Sequence, residues 1–199
     1  MTKPLLEQLI EALQCLPSVG KKSAQRMAYQ LLNGRRSKGV LLSDVLKQAM
    51  EKIGLCQKCR DYTENEVCSI CSNPQRDKQL ICVVESPSDI YAIESTASYS
   101  GNYFVLQGAL SPLDGIGPDE IGLPVLAGIV KQDAVSEIII ATSATVEGEA
   151  TAHYIKSLVH QINNEIIVSR LAQGVPLGGE LEYLDASTLS LSLANRQTI

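Results

Sequence analysis

The sequence has no long apolar run, and none of its stretches approaches the roughly 20 apolar residues that a membrane-spanning helix needs. Its N-terminus does not resemble a secretory signal peptide. We therefore expect a soluble, cytoplasmic protein that makes no contact with a membrane and whose thiols stay reduced.

Histidine is also scarce, since only His153 and His160 are present. They lie seven residues apart on a predicted helix and so share one face, with no nucleophile signal nearby, which favours a surface or packing role. The glycine-rich stretch 174–179 lacks the Lys-Ser or Lys-Thr pair of a phosphate-binding loop. Turn formation accounts for these glycines more simply.

Positive charge is in the minority, with 17 Lys and Arg against 22 Asp and Glu and a net charge of −5. That total alone argues against binding to nucleic acid. The charges are unevenly distributed, however: residues 1–80 hold 13 Lys and Arg against 8 Asp and Glu, and residues 81–199 hold 4 against 14. The first part therefore suits a polyanion and the second suits a basic partner.

Four of the six cysteines form two CxxC pairs, Cys56 with Cys59 and Cys68 with Cys71. Four soft thiolates so close together match tetrahedral zinc, and with four protein ligands no open position remains to activate water. Two disulfides or a redox-active CxxC pair are the alternatives, which the reducing cytosol disfavours. We therefore predict one structural Zn²⁺ in a small knuckle.

Cys15 and Cys82 have apolar neighbours in the sequence and are predicted to fill core positions.

Two apolar stripes at helical spacing precede the cysteines. The first predicts a helix over residues 4–15, and the second predicts a helix that begins near Lys21 and ends at Gly34. Ser43 is predicted to cap a third helix that continues to about Ile53.

The turn between the first two helices is short and contains Gly20. Because glycine has no side chain, backbone N–H groups at the start of the second helix can approach a phosphate, with Lys21, Lys22 and Arg26 around it. The residues Leu16 to Arg26 resemble the helix-hairpin-helix motif, which grips the DNA backbone without reading bases. Arg35 and Arg36 strengthen the electrostatic argument for DNA. An ordinary helical hairpin with solvated lysines is the alternative.

After the cysteines, strand and helix patterns alternate. Strands are predicted at 80–84, 103–106, 137–141 and 165–169, and helices at 89–97, 124–131 and 149–162. Because 80–84 is uninterruptedly apolar, we expect it to be buried on both faces of a mostly parallel sheet. Sites in such sheets lie beyond the carboxyl ends of the strands, near which the sequence places four carboxylates, Glu85, Asp89, Glu147 and Glu149.

This second part resembles a Toprim domain, the module shared by primases, topoisomerases and some nucleases. Active members carry an Asp-x-Asp-x-x-Gly motif that holds magnesium. Aligned on Gly148, this chain has Ser143 and Thr145 in place of the two aspartates. We therefore expect poor magnesium binding and no strand cleavage. The four carboxylates are interpreted as a patch for a basic partner, with a weak metal site or solvated loops as alternatives.

The order of these parts resembles the RecR family of bacterial recombination mediators over essentially the whole length. The resemblance also rests on the segments 111–118, 146–152 and 174–183; Ser18 and the pair Ser143-Ala144 depart from the family pattern, which usually has glycine and Asn-Pro there. It implies an α/β multi-module fold: a helix-hairpin-helix module (1–54), a four-cysteine zinc knuckle (55–78), a degenerate Toprim domain (79–172) and a C-terminal segment with a helix (173–199).

The resemblance further implies a non-enzymatic, nucleoid-associated protein that binds double- and single-stranded DNA without sequence preference. It implies a homodimer or a homotetrameric ring that works with RecO and RecF to load RecA at single-stranded gaps during repair. A magnesium-dependent Toprim nuclease or topoisomerase-like enzyme is the alternative.

Overall fold

The computed structural model of the chain describes residues 3–132, 134–172 and 174–196. The chain forms two compact units that divide between Ile53 and Gly54. None of the helices in these described segments is long and apolar enough to cross a membrane. The finer division of the second unit at residues 78/79 and 172/173 stays a prediction.

The first unit consists of three helices, α1 (Leu5–Leu13), α2 (Lys21–Leu32) and α3 (Arg36–Lys52). Ala24 and Ala28 lie one turn apart on α2 and are completely buried. Their small side chains allow the neighbouring helices to approach closely. The two predicted helices before Gly34 are therefore present, and the first is slightly shorter than expected.

The predicted start of the third helix at Ser43 is wrong. The helix begins at Arg36, so Ser43 lies in its interior and Arg35 is the N-cap residue. A single glycine such as Gly39 costs a helix only about 1 kcal/mol, so the helix can continue through it. A Cβ added at Gly39 would lie 3.8 Å from the Leu31 side chain, so this part of α3 packs against α2.

Cys15 is exposed, so its predicted core role is also wrong. It lies beyond the end of α1, in the turn that leads to α2, where its sequence neighbour Leu16 is itself 50% exposed. Apolar neighbours in the sequence do not place a residue in the core unless a helix or strand continues through them. Cys82, which lies within a strand, is 2% exposed, as predicted.

The second unit begins with the zinc knuckle. A two-residue strand, β1 (Gly54–Leu55), pairs antiparallel with β2 (Tyr62–Thr63), and the single-turn helix α4 (Ser69–Ser72) follows.

A four-stranded parallel sheet in the order β4-β3-β5-β6 forms the body of this unit. The strands are β3 (Asp77–Val84), β4 (Gly101–Val105), β5 (Glu137–Ala141) and β6 (Ile167–Arg170), and the flanking helices are α5 (Pro87–Glu94), α6 (Leu123–Gln132) and α7 (Val146–Ile162). All the strands predicted from the sequence are present; 137–141 matches at both ends, and the other ends differ by at most three residues.

Side chains of β3 alternate between two cores. Ile81 and Val83 point into a large core with residues of α6 and α7, whereas Cys82 and Val84 point into a smaller core with Ile90 of α5. The sheet is therefore covered on both faces, which is why residues 80–84 are uninterruptedly apolar.

After β6 the chain continues to a short 3₁₀ turn (Leu181–Tyr183) and the helix α8 (Ala186–Ala194). Asp185 caps α8 by accepting a hydrogen bond from the Thr188 amide at 2.9 Å. None of the α8 residues is buried. Together the elements confirm the predicted α/β architecture.

Candidate nucleic-acid interface and metal centre

The turn between α1 and α2 is open around Gly20. Gly20 is the N-cap residue of α2 with φ −79° and ψ 170°, and an added Cβ there would meet nothing within 4 Å. Neither the backbone conformation nor packing within the unit therefore requires glycine at this position. The absence of a side chain instead leaves the first amides of α2 accessible to a ligand from outside. Ser18, in the same turn, has φ 64°, a left-handed conformation that glycine adopts without strain.

Three predicted DNA-binding cations surround this turn. Lys21, Lys22 and Arg26 are exposed on the first two turns of α2. Within the described residues none of them makes an ion pair, and α2 has neither a side-chain cap nor an acidic residue in its first turn. The positive end of the helix dipole and three cations therefore act together at one uncapped helix end.

Arg35 and Arg36 lie elsewhere on the unit. Both follow the C-terminal end of α2, which contains 12 residues, so they are separated from the Gly20 turn by about 18 Å along the helix axis. Both are exposed. The five predicted cations thus form two clusters, and only Lys21, Lys22 and Arg26 belong to the hairpin turn.

The four knuckle cysteines converge on one point. Their Sγ atoms all lie within 4.8 Å of one another, and each cysteine is buried. The edge of a tetrahedron with Zn–S bonds of about 2.3 Å is about 3.8 Å, and the Cys59 and Cys68 Sγ atoms are 3.5 Å apart. None of the four is in a disulfide. The residues therefore fit one structural zinc ion, bound by Cys56, Cys59, Cys68 and Cys71, which crosslinks the two halves of the knuckle.

Backbone amides support the thiolates. The Cys68 amide donates to the Cys56 Sγ at 3.3 Å, and the Cys71 amide donates to the Cys68 Sγ at 3.5 Å. Such bonds stabilise the negative sulfur atoms and orient them for the metal.

Glu85 stands directly after β3, at the carboxyl edge of the sheet. Its Oε1 accepts hydrogen bonds from both the backbone amide and the hydroxyl of Ser143, each at 3.0 Å. Ser143 occupies the position of the first aspartate of an active Toprim motif. A hydrogen-bond donor therefore stands where an active member has a second carboxylate.

Asp89 has a structural partner as well. Its Oδ2 accepts from the Ser86 amide at 2.8 Å, and together with the Ser86 side chain it forms a capping box at the start of α5.

Glu147 and Glu149 lie in the first turn of α7, whose dipole favours them. Glu149 pairs with Arg170 at 2.5 Å, and Arg170 also donates to the Ser143 carbonyl at 3.2 Å. Glu147 is exposed. The carboxyl edge is therefore partly neutralised by an arginine that the sequence reasoning did not include. The position of Arg170 directly after the predicted strand 165–169 could have indicated that it lies at this edge.

These carboxylates do not fit magnesium. Among the described residues, the four cysteines are the one group of three or more His, Cys, Asp or Glu side chains whose ligand atoms converge. Hard dications need several oxygen ligands around one point. Here Glu85 is bonded to Ser143, Asp89 to a helix cap and Glu149 to Arg170, so their oxygen atoms do not surround one point.

Comparison with known proteins agrees with this arrangement. Protein-family models match four consecutive segments: the RecR helix-hairpin-helix at residues 6–50, the RecR four-cysteine zinc finger domain at 53–73, the Toprim domain at 79–172 and the RecR C-terminal region at 174–197. "Recombination protein RecR" of Coxiella burnetii (strain RSA 493 / Nine Mile phase I) is 56% identical over 197 residues, which cover 98% of this chain and 97% of that protein. The chain belongs to the RecR family.

The family assignment and the geometry identify the same modules. The RecR zinc finger match contains all four converging cysteines, and the RecR helix-hairpin-helix match contains the open Gly20 turn. The Toprim match begins within β3 and extends past β6.

Proposed function

We propose that this chain is a non-enzymatic, DNA-binding recombination mediator that acts in DNA repair in the bacterial cytoplasm. It closes as a ring on DNA and works with RecO and RecF to load RecA at single-stranded gaps. The observation that carries the proposal is the uncapped start of α2, where Lys21, Lys22 and Arg26 are exposed and make no ion pair with any described residue.

This helix end suits the phosphate backbone and not the bases. Backbone amides and flexible cations bind phosphate wherever it occurs along the strand, so they carry no sequence information. We therefore propose binding to double- and single-stranded DNA without sequence preference, with Arg35 and Arg36 as a second contact farther along the unit.

A Gly20→Ser variant tests the phosphate contact. A serine hydroxyl caps the amides of α2 and fills the space that the phosphate needs, so DNA affinity should fall while the helix gains a few tenths of a kcal/mol. Because DNA affinity should fall while helix stability rises, a loss of binding can be distinguished from a loss of folding. Gly39→Ala is the control, because its Cβ would make only ordinary contact with Leu31 at 3.8 Å. Undiminished DNA affinity in Gly20→Ser would refute the assignment.

Assembly into a homodimer or a homotetrameric ring is supported by the apolar surface of the first unit. α1 and α3 contain no buried residue, and a groove of about 600 Å³ between the helices is lined mainly by leucines. On α3, Leu46 is 55% exposed and Met50 is 74% exposed. Apolar surface of this extent is typical of an interface, and a second copy of the chain buries the same face on both partners.

Native mass measurement tests the assembly. Leu46→Glu combined with Met50→Glu should lower the mass of the complex, whereas Lys47→Glu, on the same helix, should leave a complex of the original size. An unchanged mass in the double variant would place the interface elsewhere.

The carboxylates Glu85, Asp89, Glu147 and Glu149 are proposed as the surface for a basic partner such as RecO. Glu147 is the most exposed of them, and electrostatic complementarity acts chiefly on association rate and specificity. Glu147→Gln should slow association with RecO and leave DNA affinity unchanged. Glu165→Gln, at another exposed carboxylate, is the control. Equal rates of association with RecO for the wild type and both variants would show that Glu147 does not belong to the proposed surface.

The nuclease or topoisomerase alternative predicts DNA cleavage in magnesium that Glu85→Ala abolishes. We propose no such activity, because Glu85 bonds to Ser143 and the neighbouring carboxylates have other partners. Incubation of the wild-type protein with supercoiled DNA and magnesium distinguishes the two functions.

A further inference from the structure

The longest loop of the parallel-sheet body connects β4 to α6 and comprises residues 106–122. It starts at the carboxyl edge of the sheet. A short antiparallel bridge between Ser111 and Ile116 shapes its middle, and Leu113 at the tip is 97% exposed. A surface loop of this length needs anchors at both ends to keep one conformation.

Arg60 of the zinc knuckle anchors the first end through its backbone. It follows the zinc ligand Cys59 and has φ 64°, in the left-handed region. The Cys59 carbonyl accepts a hydrogen bond from the Val105 amide at 2.8 Å, and the Arg60 carbonyl accepts one from the Gln107 side chain at 2.8 Å. The knuckle is thus bonded directly to the end of β4 and the start of the loop.

The Arg60 side chain reaches the second end of the same loop. Its guanidinium lies over the Phe104 ring, 5.9 Å from the centroid, and its Nη2 is 3.4 Å from the Glu120 carbonyl. Gly122 provides the space that it fills, since a Cβ on Gly122 would lie 1.3 Å from Nη1. One side chain therefore spans from the metal site to the residues just before α6.

Stability alone does not account for an arginine at this place. Nη1 is buried and has no hydrogen-bond partner in the described part of the chain. An unsatisfied buried donor costs about 1–3 kcal/mol, a cost that an apolar side chain of similar size avoids.

We propose that Arg60 couples the zinc knuckle to the β4–α6 loop, so that the bound metal holds residues 106–122 in position at the carboxyl edge of the sheet. The knuckle then has a role besides its own folding. Zinc fixes the backbone around Cys59, that backbone fixes Arg60, and the guanidinium fixes both ends of the loop. Arg60 is a positioning residue.

Arg60→Gly is the direct test, because glycine keeps the left-handed backbone and removes only the side chain. The variant should retain one zinc per chain, and amide exchange in residues 106–122 should accelerate on the order of tenfold, with β3 and β5 unchanged. Chelation of zinc from the wild-type protein should accelerate the same amides. Lys58→Ala, which removes an exposed cation from the same CxxC turn, should leave the loop as in the wild type.

Gly122→Ala gives an independent test that leaves every knuckle residue in place. In the wild-type background the added methyl group displaces the guanidinium and should loosen the loop. In the Arg60→Gly background the clash is gone and only the strain of alanine at φ 76° remains, so Gly122→Ala should add less acceleration than in the wild-type background. This non-additivity would show that the guanidinium and the Gly122 position act on the loop through the same contact.

Two results would overturn the coupling. One is an amide exchange rate in residues 106–122 of zinc-loaded Arg60→Gly that equals the wild-type rate. The other is that the effects of Arg60→Gly and Gly122→Ala on this exchange rate are additive. Should Arg60→Gly lose its zinc, exchange in zinc-loaded Gly122→Ala decides the question, and a loop as protected as in the wild type refutes the proposal.

Discussion

At the scale of single residues, Glu94 illustrates how one partly buried carboxylate joins separate elements. Its Oε1 accepts from the Tyr103 hydroxyl at 2.6 Å and from Arg76 Nη1 at 2.9 Å, while Oε2 pairs with Arg76 Nη2. Arg76 also donates to the carbonyls of Tyr99 and Gly101. The end of α5, the start of β3 and β4 are thereby connected.

This network predicts a specific dependence of stability on pH. The hydrogen bond from Arg76 is the main cause that lowers the pKa of Glu94 below its usual value of 4.5. The folded pKa is therefore below the unfolded one, so the contribution of Glu94 is complete above about pH 4.5 and is lost as the pH falls through the folded pKa. Glu94→Gln should cost about 1–3 kcal/mol at neutral pH.

The measurement is urea unfolding of both proteins at several pH values between about 7 and 3. The stability difference between wild type and Glu94→Gln should shrink as the pH falls below about 4.5. Glu165→Gln, at an exposed carboxylate, should parallel the wild type. A difference that stays constant with pH would show that Glu94 does not titrate as described.

At the scale of elements, the start of α7 depends on a close approach to the loop after β5. A Cβ on Gly148 would lie 2.2 Å from the Ser143 carbonyl oxygen, whereas a Cβ on Gly128 of α6 would meet nothing within 4 Å. Gly148→Ala should therefore cost about 1–3 kcal/mol and disturb the bond between Ser143 and Glu85. Gly128→Ala should gain up to about 1 kcal/mol, because alanine favours a helix.

Urea unfolding of the two variants checks this contrast. If both alanines change the free energy of unfolding equally, the close approach at Gly148 does not constrain α7.

The zinc knuckle predicts a change in thiol reactivity. Cys15 is exposed and free, four cysteines bind zinc, and Cys82 is buried, which raises the pKa of its thiol to about 12. A thiol reagent should therefore modify one cysteine per chain in the native zinc-bound protein and five after chelation, with Cys82 reacting only on unfolding. Five reactive thiols before chelation would contradict a metal-bound knuckle.

The sequence predicted the elements whose signal lies in a short stretch of residues. The four cysteines have the spacing of a zinc site, and residues 80–84 are apolar throughout because they face two cores. The start of α3 was not predicted in this way, because the cap signal of Ser43 is local and does not report the packing of α3 against α2 near Gly39.

Contacts between distant segments were equally inaccessible. Glu85 and Ser143 are 58 residues apart, and Arg60 and Glu120 are 60 residues apart. Such pairs are set by the register of parallel strands and by loop conformation, which one sequence does not specify. The sequence therefore predicted that Glu85 lies at the carboxyl edge of the sheet. It did not show that Ser143 donates hydrogen bonds to Glu85, or that Arg170 pairs with Glu149 at the same edge.

At the scale of the whole molecule, the charged residues are divided unevenly along the chain. Residues 1–80 carry the excess of Lys and Arg, and residues 81–199 carry 14 Asp and Glu against 4 Lys and Arg. Few cations per chain are enough for DNA binding if several copies act together, because linked weak contacts increase overall affinity.

The salt dependence of DNA binding shows whether the cations of the first unit contact phosphate. Each lost phosphate contact lowers the slope of log affinity against log salt concentration by about 0.9 on duplex DNA. Lys22→Ala combined with Arg26→Ala should therefore reduce the slope by roughly 2 for each bound chain and weaken binding equally on unrelated sequences. Lys131→Ala with Lys156→Ala, which removes the same charge from the second unit, should keep the wild-type slope. A folded Lys22→Ala, Arg26→Ala protein with wild-type slope and affinity would contradict the account.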